Sequence, residues 1–327
     1  TERQPVTVFG AVIDDAGTVI LPAAAIMPSV AASQLREFKV YRAGNTEATP
    51  GTYLGQDAYT GWHFVRIAES GRAGLLPISH WKAMSTDPKI TEELWGIGLR
   101  NKDEDFQPYF LSSRVAVVMR LPQRTAILGS DVAAPGLPVF NAAGEFAGLA
   151  QTSFGQNFLI FSRNQRGNPI VLVNVEESSV VLAAGEVLPN LSRIPESVTG
   201  RPIAWFGAYG LQPMDPEVAK LLELGKQSGV VVSDIMKGSP AEQAGLQERD
   251  IVLAVNGKPM PGLKPDRVVV SYFGQEILRH RPGDVVTLTV LRGSQREEIK
   301  VKLGDEPKMV RESERRYFER LGFTVRE

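Results

Sequence analysis

GVVVSDIMKGSPAEQAGLQERDIVLAVNGKPM, residues 229–260, sets the fold of everything around it. Its β-branched opening, 229–235, reads as a strand. Ser239 is placed to cap a short helix over 239–244, and Pro240 suits the first helical position, where an N–H has no partner anyway. Residues 251–255 form a second strand, and Asn256-Gly257 is a strong hairpin signal because both turn positions favour positive φ. Upstream, 203–209 is strand-like, and 216–224 places Val218, Leu221, Leu222 and Leu224 where a short amphipathic helix would need them. Downstream come a longer helix over 265–279 and two strands, 284–291 and 298–303, joined across Gly293-Ser294. The stretch 308–320 is rich in Arg and Glu and reads as a solvated helix. The strand-like LGFTVRE that follows reads as the start of a further domain.

This order resembles a PDZ domain of the kind attached to HtrA/DegP-type proteases, over about residues 201–304. SPAEQAGL (239–246) corresponds to the small helix, RDIVLAVNGKPM (249–260) to the strand and hairpin, and RPGDVVTLTVLRG (281–293) to the strand that closes the sheet. Such domains add an extended peptide to a sheet edge, and backbone amides of a glycine-containing loop hold its terminal carboxylate. The resemblance puts that loop at Trp205, Phe206, Gly207 and Ala208, with Tyr209 and Leu211 on the augmenting strand. Phe273, Gly274 and Ile277 then face the groove and shape an apolar pocket, although buried aromatics here could equally be core. Pro213 lacks an N–H, so the edge is expected to end there and to pair only about three or four ligand residues.

Residues 1–185 have a different rhythm. Eleven short β-branched, aromatic or alternating runs are separated by Gly, Pro and Asn/Asp turns: 6–13, 17–21, 38–41, 62–67, 94–99, 114–121, 125–128, 137–141, 145–151, 158–161 and 170–175. That spacing points to all-β barrels or sandwiches. Between about 183 and 202 three prolines and two glycines prevent regular structure and mark a boundary. The expected division is therefore 1–185, a 186–200 linker, 201–305 and a 306–327 charged helical tail.

Attached to such a PDZ domain, the first part resembles a trypsin-like double β-barrel. GAVIDDAGTVILPAAAIM (10–27) is similar to the strand pair that carries the histidine of the family, QDAYTGWHFVRI (56–67) to the aspartate segment, and APGLPVFNAAGEFAGLAQT (134–152) to the nucleophile segment and its following hairpin. The resemblance places the three triad positions on Ala25, Gly61 and Pro135. A triad needs a hydroxyl, an imidazole and a carboxylate, and none is present there. Proline at the nucleophile position also removes a backbone donor of the oxyanion hole. No catalytic residue is therefore expected. A relocated set built from Ser130, His63 and Asp131 is the enzyme alternative.

Composition by itself only excludes classes. Among 327 residues, Lys+Arg (36) and Asp+Glu (37) nearly cancel, so no bulk charge favours nucleic acid. Cysteine is absent and only His63, His80 and His280 are available, so neither a metal nor a cofactor is expected. No apolar run is long enough to cross a membrane. The resemblance implies a catalytically degenerate, HtrA-like pseudoprotease. It would bind protein C-termini or extended segments as scaffold, adaptor or chaperone-like subunit, exported to a compartment such as the periplasm with its signal peptide removed. A homo-oligomer, a trimer by family pattern, or a structural subunit of an envelope complex are the further partner readings.

Overall fold

The computed structural model describes residues 6–326, leaving out 28–29, 31–34, 36, 152–157, 161–169, 173–177, 199–201, 225–226, 264–265, 308–314 and 319–322. The chain divides into two compact units, Thr1–Arg201 and Pro202–Glu327.

In the first unit, Ala11–Val12, Thr18–Leu21, His63–Ile67, Thr49–Gln56 and Phe38–Val40 lie side by side in that order as an antiparallel five-stranded sheet. A second set, Glu93–Leu99, Pro108–Met119, Thr125–Leu128, Pro138–Asn141, Phe146–Gln151 and Val180–Ala183, closes into a six-stranded barrel. Two strands escape the sequence reading. Thr49–Gln56 is TPGTYLGQ, whose proline and two glycines imitate a loop, yet pairing with His63–Ile67 on one side and Phe38–Val40 on the other overrides that weak local preference. Val180–Ala183 was hidden beside the apparent linker and is clamped between Phe146–Gln151 and Thr125–Leu128.

The linker expectation needs correction. Residues Ala184–Val187 form a helical turn continued by Leu188–Asn190, with Ala184 and Val187 buried. They join a core with Trp62, Phe64, Ile78, Phe146 and Leu149, and Leu188, Leu191 and Ile194 pack against it. A fully buried side chain of this size contributes about 1.5–3 kcal/mol, which holds an irregular sequence more firmly than propensity does. The first unit thus runs well past residue 185.

In the second unit a sheet orders Gln212–Pro213, Val230–Val231, Ile251–Val255, Val285–Arg292 and Gln295–Lys302, with Lys258–Pro259 hairpinned onto Ile251–Val255. Ala208–Tyr209 pairs with Asp234–Ile235, and Ala204–Trp205 with Gly304–Asp305. Helices occupy Pro216–Leu221, Pro240–Gln243 and Val268–Leu278. Ser239 caps as its sequence suggests, its hydroxyl accepting from the Glu242 N–H at 3.2 Å. Beneath the sheet and the long helix lies one apolar cluster that includes Phe206, Val230, Val252, Phe273, Ile277 and Leu288. The tail is not the expected helix: Arg315–Phe318 and Phe323–Arg326 pair antiparallel, since aromatic and β-branched residues there favour strands. Residues 308–314 and 319–320 of that expectation lie outside the described residues.

Candidate functional site

Two places qualify, one in each unit. In the first, a cavity of about 30 Å³ is lined by Leu21, Pro22 and Ala23, by Thr60 and Trp62, by Gly136, and by Leu149–Gln151. These residues flank all three positions singled out in the sequence: Ala25 ends the turn Ala23–Ala25, Gly61 lies between Thr60 and Trp62, and Pro135 precedes Gly136. The fold therefore brings the three segments together. A side chain at Gly61 would meet the Ala23 methyl at 3.0 Å, and one at Gly136 the Phe9 carbonyl oxygen at 2.6 Å.

What converges is chemically sparse. Among the described residues, Thr60, Gln151 and the indole of Trp62 are the polar side-chain groups on the cavity wall, and the volume holds about two water molecules. Pro135 has no N–H, while the Gly136 N–H donates to the Ala150 carbonyl at 2.8 Å and the Leu137 N–H to the Ala134 carbonyl at 3.1 Å. Both amides are engaged within the chain rather than held open for an oxyanion.

His63 lies nearby but is buried, with Nε2 3.3 Å from the Ala23 carbonyl and Nδ1 2.9 Å from the Tyr53 hydroxyl. A carbonyl only accepts, so Nε2 carries the proton and Nδ1 accepts from Tyr53. Burial pushes His63 below the usual histidine range, partly opposed by the bond to Ala23, and pushes the Tyr53 phenol up to about 12. The relocated alternative does not assemble around this imidazole. The Asp131 carboxylate accepts from the Ser179 hydroxyl, and the Ser130 N–H donates to the Ser113 hydroxyl oxygen at 3.0 Å. Asp57, 1% exposed, accepts from Thr60 N–H and hydroxyl at 2.9 Å each and from Arg193 at 3.0 Å. The Arg193 guanidinium lies 4.7 Å from the Tyr59 ring centroid. These contacts pin the loop that ends at Gly61. Nothing in the sequence signals the Asp57–Arg193 pair, because the partners are 136 positions apart.

In the second unit, Phe206 and Gly207 link two short strands, Ala204–Trp205 and Ala208–Tyr209. Gly207 has φ +85°, and a Cβ there would fall 2.3 Å from that of Ser239. Only glycine fits both the conformation and the space. Its carbonyl accepts from the Met236 N–H at 3.0 Å, as the Phe206 carbonyl does from Ala241. The expected augmenting strand is broken earlier than the proline: it runs over Ala208–Tyr209, turns at Gly210 with φ +59°, and resumes at Gln212–Pro213 opposite Val230–Val231. Phe206 and Phe273 meet edge to face at 5.4 Å, and both, with Ile277, belong to the core. Ala208 and Leu211 pack partly against it, Tyr209 is exposed, and around Gly274 there is open space.

Residues 211–303 match the family model of the PDZ domain. By structure, the chain superimposes on the HtrA-type protease AlgW with tripeptide at a TM-score of 0.61, covering 92% of this chain and 89% of that one at 17% identity. It also superimposes on the serine endoprotease from Yersinia pestis at 0.56, covering 91% and 88% at 16% identity. The fold is that of the HtrA-type proteases. In sequence, it is 33% identical over 138 residues to a DegP-like periplasmic serine endoprotease of Chlamydia pneumoniae, 41% of this chain and 27% of that protein. It is also 42% identical over 79 residues to a CtpA-like serine protease of Staphylococcus haemolyticus, 24% of this chain and 15% of that protein. The matched stretches thus span about a quarter or less of these relatives. The PDZ match includes the long helix Val268–Leu278 and begins after the Gly207 loop.

Proposed function

We propose that this chain is a non-catalytic HtrA-like protein, a pseudoprotease that captures C-termini or extended segments of partner proteins in its PDZ groove. The observation that carries the reading is the chemistry of the convergent cavity. Among the described residues its walls supply no carboxylate and no imidazole, and the backbone N–H groups of Gly136 and Leu137 are engaged within the chain. Peptide capture draws on what the second unit keeps: the glycine loop at Trp205–Ala208 and the short strand beside it. Its relatives' description as periplasmic endoproteases supports an exported protein, and scaffold, adaptor or chaperone-like roles all follow from recognition without turnover.

Two measurements test this. Incubation with an unstructured protein substrate should give no hydrolysis above buffer; turnover that Ser130→Ala or His63→Gln abolishes would sink the pseudoprotease reading. A panel of apolar-ended peptides should bind with a free C-terminal carboxylate and lose at least about tenfold in affinity when amidated, a loss of about 1.4 kcal/mol. Equal binding of acid and amide would show that the glycine loop is not the recognition element.

A further inference from the structure

We propose that the groove beside Ala208–Tyr209 selects the penultimate residue of its peptide as well as the last, taking a large apolar or aromatic side chain there against a platform of Tyr209 and Met236. This rests on the peptide capture proposed above and adds a second specificity position to it.

Ala208–Tyr209 is paired along one edge. Asp234–Ile235 holds that edge, with Ala208 opposite Ile235 and Tyr209 opposite Asp234, and among the described residues no strand pairs with the other. A peptide added to the free edge continues the pleat, so its side chains alternate between the two faces of the ribbon. The two faces differ. Ala208 and Ile235 pack partly against the core that holds Phe206, Phe273 and Ile277, and the apolar pocket for the last side chain of the peptide lies on that side. The side chain before it then falls on the opposite face, where Tyr209 stands.

That opposite face offers contact area rather than charge. Tyr209 and Met236 are 45% and 37% exposed, and the Tyr209 hydroxyl donates to the Met236 sulfur at 3.9 Å. The Met236 N–H donates to the Gly207 carbonyl at 3.0 Å, which ties the platform to the glycine loop. A ring beside a thioether is a polarisable, adaptable surface for a further apolar group. Among residues 206–211 and 233–238 the charged side chains are Asp234 and Lys237, both exposed and of opposite sign, so together they favour neither an acidic nor a basic ligand residue. Side chains directly opposed across an antiparallel pair have Cβ atoms about 4.5–5.5 Å apart. A large penultimate side chain therefore reaches the Tyr209 ring, whereas serine or glycine would leave it in water.

Fluorescence polarisation on the whole chain tests this with labelled peptides that end in leucine as the free acid and differ only at the penultimate residue, tryptophan, leucine or serine. A further peptide, with penultimate tryptophan, carries a C-terminal amide. The tryptophan and leucine acids should bind about three- to tenfold more tightly than the serine acid. Tyr209→Ser and Met236→Ser, whose folding is checked by thermal unfolding, should each narrow that ratio, and the double variant should bring it to near one. Equal affinities of the three acids, with binding still lost on amidation, overturn the penultimate reading and leave peptide capture standing. A preference that survives the double variant overturns it as well, because the selection then resides elsewhere. Absence of binding by every peptide overturns peptide capture and this proposal together.

Discussion

The cavity of the first unit and the groove of the second make different demands: the proposed loss of catalysis rests on side chains around the cavity, and the proposed peptide capture on main-chain groups beside the groove. Around the cavity, strand pairing still delivers residues 21–25, 60–62 and 135–136 to one place. A triad, however, resides in three side chains and an open N–H, and alanine, glycine and proline preserve the packing while supplying none of them. The groove works differently. Main-chain groups do the recognising, so its side chains can change as long as the backbone conformation at Gly207 survives. On the proposed reading, catalysis is lost by a few substitutions that the fold does not register, whereas peptide capture would be lost only by changes that the fold does register.

Four experiments press on that contrast. Phe273→Ala, which empties the centre of the second core, should cost about 3–5 kcal/mol. In calorimetry the transition of the second unit should move or vanish while that of the first remains; a single shifted transition for the whole chain would show that the two are energetically one. Asp57→Asn removes the buried negative charge of the Asp57–Arg193 ion pair in the first unit. About 3 kcal/mol of destabilisation is expected, read as a lower denaturant midpoint, with peptide affinity unchanged. Loss of affinity would tie the cavity loop to recognition.

Gly207→Ala and Gly136→Ala form a matched pair, since both glycines have positive φ, +85° and +91°, and both face a close neighbour. Each should cost roughly 1–3 kcal/mol in stability. Only Gly207→Ala should abolish peptide binding in a fluorescence titration, and binding loss from Gly136→Ala would give the cavity a ligand of its own. The smallest effect belongs to His63. Its folded-state pKa lies below the unfolded value of about 6.5, so the neutral form is favoured on folding. The stability it contributes is complete above about pH 6.5 and is lost as pH falls through the folded pKa, by at most about 1.4 kcal/mol per pH unit. His63→Gln should flatten the difference in stability between pH 7 and pH 5; an unchanged slope would mean that this imidazole does not sense pH.

Much of the second unit was legible because its signals are local. Ser239 and Pro240 start a helix, Asn256-Gly257 turns a hairpin, and β-branched runs mark strands whatever surrounds them. The first unit was legible where strands alternate and illegible where they do not. TPGTYLGQ became a strand through its neighbours, and Ala184–Val187 became part of the core through contacts with Phe64 and Phe146. The tail erred the other way: its charges suggested a helix, while Tyr317 and Phe323 lie in the strands of a hairpin.

The candidate sites divide along the same line. The identity of Ala25, Gly61 and Pro135 is a property of sequence, and so is the absence of any chemistry those residues could perform. That their segments meet at one cavity, that His63 is locked between Tyr53 and Ala23, and that Gly210 rather than Pro213 breaks the strand beside the glycine loop are tertiary facts. Local preference acts over a few residues, whereas burial and strand pairing act between positions as distant as Asp57 and Arg193. Only the folded chain brings such positions within hydrogen-bonding reach.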